Sequence, residues 1–275
     1  MSDEEALLKA IIATPDEDTP RLAFADWLDE NRPDRSPSPA DGPSARAEYI
    51  RVQCRLAAGA FDSRDYPELL EKERDLAEWL STHDAEPNPQ LDNLFVPPGF
   101  SSGEWNAFRR GFLETVEFDA YADDAPSTAR RIVATLDEAL RNSTARTLQL
   151  VDATAEEIEL LMEEPVVGRL RGFRLDGLDD RRGDAAVVAI ANSSRSRGLR
   201  RLYLDLSVEL AGCRALARSR YLRNLDSLVI DFPIPARAVK QLVAAKWFRN
   251  LRRLHLYSGA GGDIFRVLAD VPPMP

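Results

Sequence analysis

Residues 221–230 read YLRNLDSLVI, and 26 positions further on residues 247–256 read WFRNLRRLHL. Leu222, Leu225, Leu228 and Ile230 of the first stretch match Phe248, Leu251, Leu254 and Leu256 of the second, position for position. Val167, Leu170, Phe173 and Leu175 fit the same frame. The last two apolar residues of each frame are two positions apart, the period of a strand with one buried face. A frame that recurs at a nearly fixed period points to one supersecondary unit stacked on copies of itself.

Working outward, strand-like segments recur at 113–118, 146–151, 171–176, 200–205, 226–231 and 252–257. Their inward pairs are Val116/Phe118, Leu148/Leu150, Phe173/Leu175, Leu202/Leu204, Leu228/Ile230 and Leu254/Leu256, at successive spacings of 32, 25, 29, 26 and 26 residues. Amphipathic helices are predicted between them at 127–141, 154–163, 184–191, 207–217 and 235–247, the second opened by a capping box of Thr154 and Glu157. Each unit is therefore one strand and one helix, and the class is α/β.

This pattern resembles the leucine-rich repeat, whose frame is L-x-x-L-x-L-x-x-N-x-L at a period of about 20–29 residues. The resemblance rests on the first three apolar positions. It departs at the asparagine, where this chain has Ala153, Leu178, Ser207, Pro233 and Gly259. It implies a short solenoid of the ribonuclease-inhibitor-like class, with about six parallel strands on the concave side and helices on the convex side. A doubly wound sheet is the competing architecture, since strand–helix alternation alone fits both. In the solenoid, side chains that alternate with the inward pairs face the concave surface. They form a central column of Glu117, Gln149, Arg174, Tyr203, Val229 and His255, flanked by Arg201 and Arg253 on one side. On the other stand Asp119, Val151, Asp176, Asp205, Asp231 and Tyr257. Arg and Tyr are frequent interface anchors, so Arg174, Arg201, Tyr203, Asp205, Asp231, Arg253, His255 and Tyr257 are the candidate partner-binding residues. The competing structural role for the aspartates is to accept bonds from loop and helix-start N–H groups.

The first third has a helical rhythm. Ser2 and Glu5 form a capping box, Thr19 and Pro20 mark a helix start, and Phe24, Trp27 and Leu28 supply a stripe. A third helix carries Tyr49, Ile50, Cys54, Leu56 and Ala57, and a fourth spans 66–82 with Leu69, Leu76 and Leu80 inward. Between the second and third, residues 32–44 (RPDRSPSPADGPS) hold four prolines and predict a mobile loop; a further Pro- and Asn-containing loop is predicted over 83–99. Glu5-Ala6-Leu7-Leu8, Pro15, Thr19-Pro20-Arg21-Leu22, Ala25-Asp26-Trp27-Leu28, then Glu48, Ile50-Arg51, Gln53 and Leu56 resemble the repeat-companion domain of bacterial proteins. That domain typically precedes leucine-rich or other repeats, and RRGFLETV (109–116) looks like its bridge into the first of them. The resemblance implies a helical module at 1–110 and a repeat array at 111–275; it implies no chemistry, and the 32–44 insertion replaces the family's short turn. Asp26 is expected to pair within the module, to Arg21 or Arg51, with Trp27 in its core.

Charge is divided unevenly: residues 1–165 hold 36 acidic and 16 basic side chains, residues 166–275 hold 10 and 20. The acidic N-terminus carries no apolar leader, no stretch approaches a membrane span, and two separate cysteines, Cys54 and Cys213, suit a reducing cytoplasm. Two histidines, His83 and His255, and two cysteines supply too few ligands for zinc, so neither metal nor cofactor is expected. The stretch 259–262 (GAGG) fails the dinucleotide fingerprint at Ile264 and reads as the turn of the last repeat, ahead of a short helix at 263–269. Three functions follow in order of support. The first is a non-catalytic protein-interaction scaffold using the concave face or edge. The second is nucleic-acid or other polyanion binding through the basic 166–275. The third is an enzyme site at the module junction near Asp26, Arg51 and Arg109.

Overall fold

The computed structural model describes residues 2–31, 44–58, 64–83, 108–120, 125–177, 183–257 and 267. They form two compact units, one holding residues up to Glu114 together with Arg141–Ala145, the other running from Thr115 onward without that short segment. The expected loop 32–44 (apart from Ser44), the loop 83–99 after His83, the 259–262 turn, and the 263–269 helix apart from residue 267 lie outside the described residues.

The first unit contains α1 (Asp3–Ala13), α2 (Thr19–Asn31), α3 (Ala45–Ala57) and α4 (Tyr66–His83), followed by a hairpin of β1 (Phe108–Arg109) and β2 (Phe112–Leu113). The Ser2/Glu5 capping box closes the start of α1. Thr19 is the first residue of α2 rather than its cap, so Pro20 sits second, still ahead of the turn where a missing N–H would matter. Leu8, Ile11, Phe24, Ala25, Leu28, Ile50 and Cys54 pack into one core with Phe112 of the hairpin. Arg110 and Gly111 connect the hairpin with φ of 54° and 79°, the left-handed pair of a tight two-residue turn. A Cβ at Gly111 would come within 2.3 Å of the Ile50 side chain and 2.8 Å of its backbone, so only glycine lets the turn sit on α3. Gln53 then fastens it, accepting from Gly111 N–H at 2.6 Å and donating to the Tyr49 hydroxyl at 2.7 Å.

The second unit alternates β3 (Thr115–Asp119), α5 (Ala125–Asn142), β4 (Thr147–Val151), α6 (Ala155–Leu161), β5 (Gly172–Asp176), α7 (Gly183–Asn192), β6 (Arg201–Asp205), α8 (Leu210–Arg218), β7 (Ser227–Ile230), α9 (Ala236–Val243) and β8 (Arg253–Leu256). The six strands form one all-parallel sheet in the order β3-β4-β5-β6-β7-β8. A doubly wound sheet reverses its strand order at a switch point, and no reversal occurs among the described strands. Parallel crossovers of one hand that always step to the next strand lay their helices on one face. Accordingly α6, α7, α8 and α9 pack each against the next. Between helices and sheet lie Leu148, Leu150, Phe173, Leu175, Leu202, Leu204, Leu228 and Ile230 from the strands and Ile158, Leu161, Val187, Ile190, Leu216, Val239 and Leu242 from the helices, all essentially inaccessible. Leu254 and Leu256 of the last described strand are half-buried.

Successive units are joined by repeated backbone and side-chain bonds. The Arg146 carbonyl accepts from Arg171 and Gly172 N–H, that of Arg171 from Arg200 and Arg201, that of Arg200 from Asp226 and Ser227, and that of Asp226 from Arg252 and Arg253. At the helix ends, Ser193 Oγ donates to Met162 O at 2.7 Å, Ser219 Oγ to Ala191 O at 2.5 Å, and Trp247 Nε1 to Leu216 O at 2.9 Å. These satisfy terminal helix carbonyls that the helix itself leaves unpaired. Three predicted helices are shorter than their apolar pattern; α6 stops at Leu161, ahead of the turn opened by Pro165. The segment before α8 runs extended because Leu206 and Val208 are buried there, and the chain after α9 turns so that Trp247 enters the core at 2% exposure.

Candidate functional site

The strand register places the predicted columns side by side on the sheet face opposite the helices. Glu117, Gln149, Arg174, Tyr203, Val229 and His255 are direct cross-strand partners in sequence. Thr147, Gly172, Arg201, Ser227 and Arg253 form the row nearer the strand starts. Asp119, Val151, Asp176 and Asp205 form the row at the strand ends. Asp231 and Tyr257 lie one residue past β7 and β8, and their N–H groups extend the ladder to Leu204 O and Ile230 O.

A chain of contacts crosses these rows from β4 to β8. Gln149 Nε2 donates to Asp176 Oδ2 at 2.7 Å, and Arg174 Nε reaches the same oxygen at 2.8 Å. The Arg174 guanidinium stands 4.2 Å from the centre of the Tyr203 ring, a cation–π distance. The Tyr203 hydroxyl donates to Asp231 Oδ2 at 2.9 Å, and His255 Nε2 stands 3.8 Å from the other Asp231 oxygen. Burial raises the Asp176 carboxyl above the ordinary aspartate range, although Arg174 pulls it down. Burial first, and then the bond to Asp231, pushes the Tyr203 phenol up to about 12. Among the described residues, Asp176 and Asp231 thus accept from side chains rather than from helix-start N–H groups.

Arg201 takes a longer route. Its guanidinium donates to Thr147 Oγ1 at 3.1 Å, across β5, where Gly172 has no side chain to stand in the way. Asp205 and Arg253 are exposed, and Tyr257 is 49% exposed. The structure therefore joins Arg174, Tyr203, Asp231 and His255 into one network. It leaves Asp205, Arg253 and Tyr257 around it as accessible side chains. Of the asparagine-equivalent positions, Ala153 is buried, Ser207 half-buried and Pro233 exposed, while Leu178 and Gly259 lie outside the described residues.

In the helical unit Arg51 donates to Asp26 and to Asp29, each at 2.7 Å. Its partial burial opposes the charge, and the two carboxylates outweigh that and raise its pKa. Trp27 stacks on Phe24 at 5.8 Å between ring centres. Asp26 is thus paired on the surface of the module, while Trp27 is half-buried against its core. The side chains of Arg109 and His83 lie outside the described residues. Both thiols are free and buried, and desolvation pushes Cys54 and Cys213 up to about 12, far from a nucleophilic thiolate. Among the described residues no group of three or more His, Cys, Asp or Glu side chains could hold a metal ion, and no helix is long and apolar enough to cross a membrane.

Two further features act between neighbouring strands and turns. One is Gly172, whose role appears only when β4, β5 and β6 are laid in register. The other is Asn224 and Asn250, which occupy the same place in the two opening stretches. Their side-chain amides donate to Arg197 O at 2.9 Å and Arg223 O at 3.1 Å, so each clamps the turn before it. No family model matches the chain, and neither a curated protein nor a solved structure matches it.

Proposed function

We propose that the chain is a leucine-rich-repeat solenoid preceded by a repeat-companion module, and that it works as a non-catalytic scaffold binding a protein partner in the cytoplasm. The sheet face that carries Arg174, Arg201, Tyr203, Asp205, Asp231, Arg253, His255 and Tyr257 is the binding surface, the concave side of the array. The observation that carries this is the network from Gln149 to Asp231. Its members are already held by one another, so ordering them on binding costs little side-chain entropy. A pre-set Tyr and Arg pair, ringed by accessible charges, has the make-up of an interface anchor. The sequential parallel sheet, the near-constant spacing and the repeated bonds between units support the solenoid. The deep burial of both thiols agrees with a reducing compartment but does not depend on one.

The test is recovery of a partner from native lysate with the full chain as bait. Tyr203→Ala and Arg201→Glu should each lose a protein that wild type retains, whereas Arg214→Glu, exposed on α8 in the helix row, should keep it. Equal recovery by all four baits would refute the assignment of this face.

A further inference from the structure

Three strands of the second unit, β3, β5 and β6, end in aspartates and Asp231 follows β7, but the turns that lead into β6, β7 and β8 are basic. Residues 194–200, 219–226 and 246–252, which precede β6, β7 and β8, carry eight basic side chains and one acidic one, Asp226. Arg197, Arg223 and Arg249 fall at the same place in these turns, at intervals of 26 residues. The turns are not independent: Asn224 holds the Arg197 carbonyl and Asn250 holds that of Arg223. The three arginines therefore stand in file on adjacent turns, with Arg200, Arg220 and Arg252 beside them, all six exposed. Among the described residues no carboxylate lies within ion-pair distance of any of the six. Tyr221 sits in the middle of the file, with the Arg197 and Arg220 guanidiniums 5.4 and 4.9 Å from its ring centre.

The acidic row does not cancel this charge. A five-residue strand is roughly 16 Å long, beyond the Debye length of about 8 Å at physiological salt. The sheet thus presents a basic rim at its strand starts and an acidic one at its strand ends.

We infer that the basic rim binds a single-stranded nucleic acid through its phosphate backbone, at a surface separate from the polar face of the sheet. Guanidinium groups pair with phosphate through parallel N–H···O bonds, and a file of them at a fixed interval suits a chain that repeats its charge at a fixed interval. A single line of cations follows one backbone rather than the two of a duplex. The rim has no free stacking or base-edge readers, because Tyr221 is already engaged by its two arginines, so contact is to phosphate and independent of sequence.

Fluorescence anisotropy of a labelled 20-nucleotide oligouridine against the full chain tests this, over about 50 to 200 mM salt. Binding falls steeply with salt, and oligoadenosine of the same length binds within a few-fold of oligouridine. The triple variant R197Q/R223Q/R249Q removes three phosphate contacts, which lowers the log–log salt slope by about 2 for a single strand and weakens binding at least about tenfold at the low-salt end. Arg223→Gln alone removes about 0.7 of the slope and serves if the triple variant is unfolded by circular dichroism. Arg214→Gln, on the helix row, leaves the slope unchanged. Absence of binding at the lowest salt, an unchanged slope in the variants, or equal competition by a polyglutamate of matched length would each overturn the inference, the last by showing an acidic polypeptide site instead.

Discussion

Gly172 lies in β5 directly between Thr147 and Arg201, and replacing it with alanine probes both the stacking of the strands and the polar face. A Cβ at this position would stand 2.4 Å from Thr147 Oγ1, 2.8 Å from its Cγ2 and 3.0 Å from its Cβ. In an unobstructed strand, Gly→Ala gains about 0.5–1 kcal/mol because glycine loses more backbone freedom on folding. Here the new methyl forces Thr147 aside, an overpacking cost of about 1–3 kcal/mol. It also displaces the Arg201 bond to Thr147, worth about 0.5–1.5 kcal/mol. The balance is a net loss of about 0.5–4 kcal/mol, set by how far Thr147 can turn. Urea unfolding followed by far-ultraviolet circular dichroism reads this as a lower midpoint at unchanged slope. The same substitution in a Thr147→Ala background should cost at least about 1 kcal/mol less, because the two atoms of closest approach are gone. A neutral or stabilising Gly172→Ala, or a cost that is the same in both backgrounds within about 0.5 kcal/mol, would refute the contact.

Three further outcomes are expected. Trp247→Phe should cost about 1–2 kcal/mol, since Leu216 O loses the indole donor but keeps the Ser219 N–H, whereas Trp247→Ala should cost about 3–5 kcal/mol; a Trp247→Phe variant as stable as wild type in urea unfolding would contradict a role for the indole N–H. Cys54 and Cys213 should resist iodoacetamide at pH 8 in the native chain and react when it is unfolded. Because both are raised from 9.0 to about 12 in the fold, the native state holds the extra protons, so their contribution is intact below pH 9 and is lost as pH rises from there toward 12. A urea midpoint that falls across that window in wild type and falls less in Cys54→Ala/Cys213→Ala checks the sign. Finally, absorbance titration at alkaline pH should show a tyrosine step near 12 that disappears in Tyr203→Phe and moves lower in Asp231→Asn, where the neighbouring negative charge is gone; an unmoved step would separate Tyr203 from Asp231.

Much of the sheet was legible because alternation and spacing are carried by buried aliphatic residues, and Leu222 to Ile230 repeats so closely in Phe248 to Leu256. The columns followed from register alone, since a parallel strand one frame further on places equivalent residues side by side. Bonds within the columns were not legible. Whether Asp176 meets a helix N–H or Arg174 depends on side-chain reach and loop path, which no period encodes. Gly172 has no side chain to mark it in a strand pattern, and its purpose depends on residues 25 positions before and 29 after it. Trp247 extends an apolar helical pattern but lies past the end of α9 at Val243, where the chain has turned to bury the indole against Leu216. Asp26 was legible as a carboxylate paired within the module, to Arg21 or Arg51; the partner is Arg51, whose second acceptor, Asp29, was not foreseen, while Arg21 donates to Glu17 O.

The most direct measurement places a photoreactive amino acid at position 205 on the polar face of the sheet, or at position 211 on α8, and irradiates the chain in native lysate. Both sites are exposed, and neither side chain is engaged in the network. A partner adduct formed from position 205 and absent from position 211 is the predicted result. Adducts that form from position 211 and not from 205 would contradict the assignment of this face as the binding surface.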